Sequence, residues 1–197
     1  MVGNIPNFTE IDVLRCFLKL GNSIGRQELA KKLELGEGTV RTILNLLKSR
    51  NLLESSKRGH SLSKRGYVAL DRILKIISGP KPIKMQDLYP EYKKAGVLLR
   101  NSPDNICLHK ARDFAVKNGA DGALILKFNG KLYAPESDYK QDYMELEKYF
   151  NFNDNESLII AFSNKDRNAE NGALAIAIEI SQSLKSFVHE IKKEAVC

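Results

Sequence analysis

A helical pattern of apolar residues near position 40, preceded by a short turn, constrains the fold of this chain more than any other feature. One buried helix face is indicated by four residues with the spacing i, i+3, i+4 and i+7: Val40, Ile43, Leu44 and Leu47. The segment Glu34-Leu35-Gly36 before it is a turn of three residues, a length that joins two packed helices. The sequence therefore predicts a helix over about residues 37–50 that packs against an earlier helix.

The residues on either side of this helix predict a small domain of four helices and a hairpin. Thr9 is placed to cap a first helix, and a second helix begins after Gly25. Two short strands flank the basic turn Ser56-Lys57-Arg58-Gly59. Ser63 then caps a fourth helix, and the spacing predicts that its buried stripe consists of Tyr67, Leu70, Leu74 and Ile77.

The excess positive charge of the chain lies entirely in its first part. The formal net charge is +7, and residues 1–80 hold 14 Lys and Arg against 7 Asp and Glu, whereas residues 81–197 hold 17 of each. Within residues 41–75 there are nine basic residues and two acidic ones. A local field of this sign attracts a polyanion, although a solvated basic face remains the alternative on charge alone.

The segment Gly79-Pro80-Lys81-Pro82 predicts a domain boundary at the point where the charge balance changes. Gly79 suits the left-handed cap that ends a helix, and the two prolines cannot continue one. We therefore expect a first domain over residues 1–79 and a second over residues 83–197.

The face of the third helix opposite its apolar stripe is polar, short-chained and cationic. It carries Gly38, Thr42, Asn45 and Ser49, and Arg41 and Lys48 flank it. A solvent-exposed helix normally mixes charges of both signs, but this face has no acid beyond Glu37 at its start. Such a set of side chains can donate to phosphates and contact the edges of bases.

The segment IGRQELAKKLELGEGTVRTILNLLKSRNLLESSKRGHSLSKRGY, residues 24–67, resembles the winged helix-turn-helix of prokaryotic transcription regulators. Its specific parts are TVRTIL after the three-residue turn, LLKSRNLL at the end of the recognition helix, and LSKRG at the start of the last helix. The resemblance covers about residues 9–78. The whole layout is also similar to an uncharacterised archaeal family in which a winged helix precedes a domain of unknown function.

The resemblance implies that the third helix enters the major groove of double-stranded DNA and that the hairpin tip lies over the backbone or the minor groove. Asn45 suits a bidentate contact to adenine, Arg41 could reach guanine or a phosphate, and Lys48 suits a phosphate. The implied DNA-binding residues are Thr39, Arg41, Thr42, Asn45, Lys48, Lys57, Arg58 and His60.

The chain is accordingly expected to be a sequence-specific transcription regulator that acts as a homodimer, because one recognition helix reads too few bases for useful selectivity. The second domain would dimerise, sense a small-molecule effector, or do both. The alternative is an RNA-binding or protein-interaction module in which the basic face docks on structured RNA or on an acidic protein.

The second domain is predicted to be α+β, with a small mixed or antiparallel sheet and a long C-terminal helix. Short apolar runs predict strands near residues 95–99, 123–128 and 158–162, and Asn129-Gly130 is a strong hairpin signal. Helices are predicted over residues 105–118, 138–150 and 169–195.

The second domain offers no recognisable catalytic constellation, so we expect no enzyme activity, no catalytic residue, no cofactor and no metal. It lacks the glycine-rich phosphate loops and the nucleophile and zinc motifs of common enzymes, and Cys107-x-His109 has no second ligand pair. Its polar loop over residues 163–168 precedes the predicted long helix. Asn164, Arg167 and Asn168 there are candidate ligands for an anion at the helix N-terminus, with simple capping as the alternative.

The sequence also argues against a membrane protein and against a disulfide-rich protein. No apolar run approaches the roughly 18 residues that cross a bilayer, so no membrane association is expected. Cys16, Cys107 and Cys197 are an odd and scattered set that predicts no disulfide framework. A reduced, cytoplasmic protein is the expectation that follows.

Overall fold

The computed structural model describes residues 8–21, 23–103, 105–135, 137 and 141–193, and the chain is an α+β protein. It divides into two compact units. The first consists of the described residues up to Ile73 together with those from Lys185 onward, and the second is Leu74–Leu184. The second unit begins and ends earlier than the domain predicted over residues 83–197, because Ile77–Ile83 is a strand of its sheet and the chain returns to the first unit after Leu184.

The first unit contains helices and one antiparallel hairpin in the predicted order. Its elements before the second unit are α1 (Glu10–Leu18), α2 (Arg26–Leu33), α3 (Glu37–Ser49), β1 (Leu53–Ser56), β2 (Gly59–Leu62) and α4 (Lys64–Leu74). The three-residue turn between α2 and α3 is confirmed. Glu34 adopts a left-handed conformation with φ of 52°, which ends α2 and redirects the chain.

Side-chain caps fix two helix starts in this unit. The Thr9 hydroxyl accepts from the Asp12 N–H at 3.3 Å, and the Asp12 carboxylate accepts from the Thr9 N–H at 2.9 Å, which forms a capping box at α1. The Ser63 hydroxyl accepts from the Gly66 N–H at 3.0 Å at the start of α4. Both predicted caps are confirmed.

The predicted α3 stripe forms the centre of the first core. The stripe packs against apolar residues of α2. The buried residues of the two helices in this core are Leu29, Leu33, Val40, Ile43, Leu44 and Leu47. A buried ion pair adjoins them: Arg15 lies 3.3 Å from Asp12 and donates to the Leu33 carbonyl at 3.2 Å. This bond ties α1 to the end of α2, where the turn into α3 begins.

The stripe predicted for α4 was wrong. Tyr67 is 50% exposed and Leu74 is 46% exposed, whereas Gly66 and Ile73 are the buried residues of α4. The tight approach of Gly66 to the Leu52 carbonyl turns the helix so that the Gly66 side faces inward. Ile77 does not extend α4, because it lies in a strand.

The second unit is built on a five-stranded sheet with the order β3-β4-β7-β5-β6, and every pairing between these strands is antiparallel. The strands are β3 (Ile77–Ile83), β4 (Lys93–Leu99), β5 (Gly122–Phe128), β6 (Leu132–Tyr133) and β7 (Ser157–Ser163). The central strands β4 and β7 are almost entirely buried.

The proline-containing segment that predicted a linker is strand β3. Pro80 and Pro82 cannot donate to a ladder, but β3 is an edge strand with a neighbour on one side, where prolines are tolerated. Its pairing with β4 shifts register between Ser78 and Lys81. The Asn129-Gly130 signal is confirmed, because it connects β5 to β6 with Gly130 at φ of 69°.

The helices of the second unit differ from prediction in length. They are α5 (Leu108–Lys117), α6 (Met144–Glu147) and α7 (Asp166–Ile180). The helix predicted over residues 138–150 is reduced to the single turn of α6, and residues 138–140 lie outside the described part of the chain. Tyr143, Leu146 and Phe150 are nevertheless buried against the sheet, so their apolar spacing reflects core packing around a short turn.

The long helix predicted over residues 169–195 is two helices. After α7 the chain passes through Ser181 and continues as α8 (Gln182–Lys193). Ser181 is extended, with φ of −99° and ψ of 106°, and its hydroxyl accepts from the Leu184 N–H at 3.3 Å. This serine therefore ends one helix and caps the next.

Helix α8 packs into the first unit. The rings of Phe17 and Phe187 lie 5.5 Å apart, Val188 and Ile191 are buried, and the Arg50 Nε donates to the Ile191 carbonyl at 3.2 Å. Because Arg50 is the C-cap residue of α3, α8 holds the end of α3.

Candidate nucleic-acid interface

Helix α3 presents the predicted polar face to solvent. Arg41, Thr42, Asn45 and Lys48 are exposed, and Thr39 is partly exposed. Within the described part of the chain, the side chains of Arg41, Asn45 and Lys48 make no hydrogen bond or ion pair. Their donors are therefore available to a ligand.

The hydroxyls of this face are already engaged as donors within the helix. Thr42 Oγ1 donates to the Gly38 carbonyl at 3.2 Å, and Ser49 Oγ donates to the Leu46 carbonyl at 2.8 Å. Each hydroxyl oxygen keeps lone pairs that can accept. Thr42 is therefore suited to accept a hydrogen bond or to make an apolar contact through its methyl group.

The start of α3 is held without a capping side chain. Gly36 is the N-cap residue and makes no side-chain cap, but its carbonyl accepts from the Val40 N–H at 3.0 Å. Glu37 accepts from Arg26 at 3.3 Å, and both side chains remain partly exposed. This ion pair joins the first turn of α3 to the first residue of α2.

The hairpin tip consists of Lys57 and Arg58, and both residues are exposed. The Arg58 N–H donates to the Ser56 hydroxyl at 3.1 Å, and the Arg58 carbonyl accepts from the Ser23 hydroxyl at 3.0 Å. These bonds set the tip backbone, so the two long cationic side chains extend from a defined turn.

The hairpin is attached to the segment that leads into α2. Ile24 and His60 exchange two backbone hydrogen bonds of 2.9 Å each, which form an isolated antiparallel bridge beside β2. Gly59 has φ of 122°, and a Cβ there would lie 2.6 Å from the Ile24 carbonyl oxygen. This close approach requires glycine at position 59.

His60 lies where three basic elements meet. Its Nδ1 is 2.9 Å from the Ser55 hydroxyl. Burial lowers the pKa of His60 below its ordinary value, and the positive charges of Arg26 on α2 and Lys48 on α3 lower it further. The structure therefore brings together cations of α2, α3 and the hairpin.

Arg26 is the residue of this surface that the sequence analysis missed. It is the first residue of α2, two positions after the bridging Ile24, and it faces Glu37 and His60. The sequence indicated that α2 begins after Gly25, but no pattern showed that this end of α2 lies beside the hairpin.

The candidate anion site in the second unit is placed differently from the prediction. Helix α7 begins at Asp166, so Arg167 and Asn168 lie in its first turn and only Asn164 precedes it. The Asn164 N–H donates to the Asp121 carboxylate at 3.3 Å, and Asp166 pairs with Lys93 at 2.8 Å. Two carboxylates at this end of the helix disfavour a bound anion.

The remaining side chains that could bind a metal or act as nucleophiles do not form a cluster among the described residues. Among the described residues no three His, Cys, Asp or Glu side chains are grouped as metal ligands. Burial raises the pKa of the Cys16 thiol to about 12, whereas Cys107 is exposed. Over the same residues, no helix combines the length and the apolar character needed to cross a bilayer.

Comparison with known proteins relates both units to proteins of unknown function. Residues 10–68 match the family model of the PH0730-like N-terminal domain, and residues 92–180 match a domain of unknown function, DUF4443. The solved structure of hypothetical protein PH0730 from Pyrococcus horikoshii OT3 is 27% identical, with a TM-score of 0.80 over 94% of this chain and 100% of that chain. No curated protein matches. These matches support an uncharacterised archaeal family.

Proposed function

We propose that the first unit is a winged helix-turn-helix that binds double-stranded DNA, and that the chain is a transcription regulator of this archaeal family. The observation that carries the proposal is the exposed face of α3, where Arg41, Asn45 and Lys48 have no hydrogen-bond or ion-pair partner among the described residues and lie beside a basic hairpin. The only acid of α3, Glu37, is neutralised by Arg26. A surface of this kind fits a polyanion with a groove wide enough for a helix.

The proposed roles follow from the position and chemistry of each side chain. Asn45 lies in the middle of the exposed face, and its amide can both donate to and accept from adenine. Arg41, one turn earlier, reaches a guanine edge or a phosphate. Lys48 at the end of α3 and Lys57 and Arg58 at the hairpin tip bind phosphates, which adds affinity without sequence preference.

The proposal includes a homodimer and gives the chain no catalytic role. Paired recognition helices would read two half-sites, which raises selectivity beyond that of one helix. The second unit would supply the dimer contact, an effector site, or both. A regulator of this kind acts in the cytoplasm.

The test starts with selection of bound fragments from genomic DNA, followed by mobility shifts over a series of salt concentrations. Asn45→Ala and Arg41→Ala should each cost about 1–3 kcal/mol on the selected site and little on a scrambled duplex. Lys57→Ala should weaken binding to both duplexes and reduce the slope of log affinity against log salt by about 1.

Arg112→Ala is the matched control for the two charged positions, because Arg112 is an exposed arginine on α5 of the second unit and its removal changes the net charge as much as removal of Arg41 or Lys57. It should retain the wild-type affinity for the selected site. Equal losses on both duplexes for Asn45→Ala, Arg41→Ala and Lys57→Ala would contradict the division of roles. Preferential binding of a structured RNA over the selected duplex would replace DNA by RNA as the partner.

A further inference from the structure

A cavity of about 250 Å³ lies in the second unit between α5 and the end of α7. Further along, α7 lies close to α5 and to the residues that follow it: a Cβ on Gly172 would lie 3.4 Å from the Cβ of Ala115 on α5 and 2.5 Å from that of Ala120 after α5. Toward the start of α5 and the end of α7, larger side chains replace these small ones. The cavity occupies this part of the helix pair.

The cavity is open to solvent, and its lining combines apolar side chains with one charge of each sign. The N-cap residue Cys107 and one face of α5, with Lys110, Ala111 and Phe114, line it at the spacing i, i+3, i+4 and i+7. The end of α7 contributes Glu179 and Ile180. Lys110 can donate to a carboxylate, and the Glu179 carboxylate can accept from an ammonium group because its oxygens accept more than one donor.

The volume limits the size of the occupant. Sites for drug-sized ligands begin at roughly 300 Å³, so this cavity takes a smaller molecule. A molecule with an apolar body, one carboxylate and one ammonium group can contact the apolar residues, Lys110 and Glu179 of the lining at the same time. Apolar amino acids have this chemistry.

The cavity adjoins the break between α7 and α8. Ile180 is the last residue of α7, Ser181 is the break, and α8 packs into the first unit, where the Ile191 carbonyl accepts from Arg50 at the end of α3. One capping residue therefore separates the end of α7 from a helix whose Ile191 carbonyl contacts the end of α3.

We propose that the cavity binds a free apolar amino acid and that its occupancy changes DNA binding through Ser181 and α8. The part that concerns DNA rests on the proposed function; binding in the cavity and its effect on α8 do not.

The first experiment measures ligand binding without DNA. In a Cys197→Ser background, Cys107 is the exposed thiol and Cys16 is buried. The rate of Cys107 modification by a coloured disulfide reagent is followed with L-leucine or L-phenylalanine. Protection should reach about tenfold at a concentration ten times Kd. Isoamylamine, which lacks the carboxylate, and 4-methylpentanoate, which lacks the ammonium group, should protect far less.

Lys110→Glu should abolish this protection, and Arg112→Glu is its control, because Arg112 is exposed on the same helix and does not line the cavity. Ala111→Leu, which fills the cavity, should also abolish protection. Lack of protection by either amino acid in the wild type, or equal protection in Lys110→Glu, would overturn the proposed site.

The second experiment measures transmission. Hydrogen exchange of α8 amides should change on addition of the amino acid, and the affinity for the selected duplex should change by about fivefold or more. Protection of Cys107 with unchanged α8 exchange and unchanged DNA affinity would overturn the coupling. A wild-type chain that binds no DNA would remove the proposed function, while the thiol and exchange measurements would still decide the site and its effect on α8.

Discussion

His60 combines a structural and an electrostatic role in the first unit. Its backbone fixes the hairpin to Ile24, and its ring lies in the field of Arg26 and Lys48. Burial and these two charges lower its pKa below 6.5, so the ring is neutral at pH 7.5. Protonation would add a positive charge to a surface that already attracts phosphates.

We expect DNA affinity to rise as the pH falls from 7.5 to 5.5 at constant salt, by about fivefold if one protonated contact adds on the order of 1 kcal/mol. Fluorescence anisotropy with a labelled duplex measures this. His60→Gln should remove the pH dependence, and His189→Gln, an exposed histidine on α8, should retain it. The same depressed pKa predicts that acidification through this range lowers the free energy of unfolding, because the unfolded chain binds the proton more tightly.

The residues of the interface were predictable because they follow from one helical period and one turn. Thr39, Arg41, Thr42, Asn45 and Lys48 lie on the solvent face of α3, as the buried stripe requires, and the hairpin residues lie at or next to its tip. Their contacts with DNA remain a prediction. Arg26 could not be found in this way, since its proximity to His60 depends on a bridge between distant residues.

At the scale of elements, local patterns predicted the order of α1 to α4 and the β1–β2 hairpin, but they did not predict that the proline-containing segment is strand β3. The α3 stripe, the helix caps and the three-residue turn each depend on residues that are close together in the sequence. Strand β3 exists because β4 offers a partner, and its prolines are tolerated only because it lies at a sheet edge. A neighbour in space thus overrode the local preference of Gly79-Pro80 to end an element.

Two helical glycines should respond oppositely to alanine. A Cβ on Gly66 would lie 2.1 Å from the Leu52 carbonyl oxygen, whereas one on Gly38 would meet no atom within 4 Å. Gly66→Ala should lower the free energy of unfolding by about 1–3 kcal/mol or more through overpacking. Gly38→Ala should raise it by about 0.5–1 kcal/mol through helix propensity. Urea unfolding followed by circular dichroism measures both, and a similar sign for the two variants would contradict this account.

At the scale of the whole molecule, the division of the chain was the least predictable feature. The apolar spacing of residues 169–195 continues across Ser181, so periodicity alone indicated one helix. The break depends on the Ser181 cap, and the destination of α8 depends on Phe17 and the end of α3, which are more than 130 residues away in the chain. Contacts between residues so far apart in the chain cannot be inferred from the local sequence pattern of either segment.

The location of α8 predicts that a substitution near the end of the chain destabilises the first unit. Phe187→Ala should lower the free energy of unfolding of this unit by about 2–3 kcal/mol, because it removes a ring packed on Phe17. Hydrogen exchange of the α1 amides should report this loss. His189→Ala, an exposed neighbour on α8, is the control and should leave exchange in α1 unchanged.

The membership of α8 in the first unit also affects the order in which the two units can fold during synthesis. Leu74–Leu184 is one uninterrupted stretch, so all its strands are synthesised before α8, while α1 to α4 keep an uncovered apolar surface at Phe17. Domains generally fold as units during synthesis, with N-terminal ones first. In this protein the later-made unit can be complete before the earlier one, and a nascent chain stalled before Lys185 would expose its N-terminal helices to chaperones and proteases.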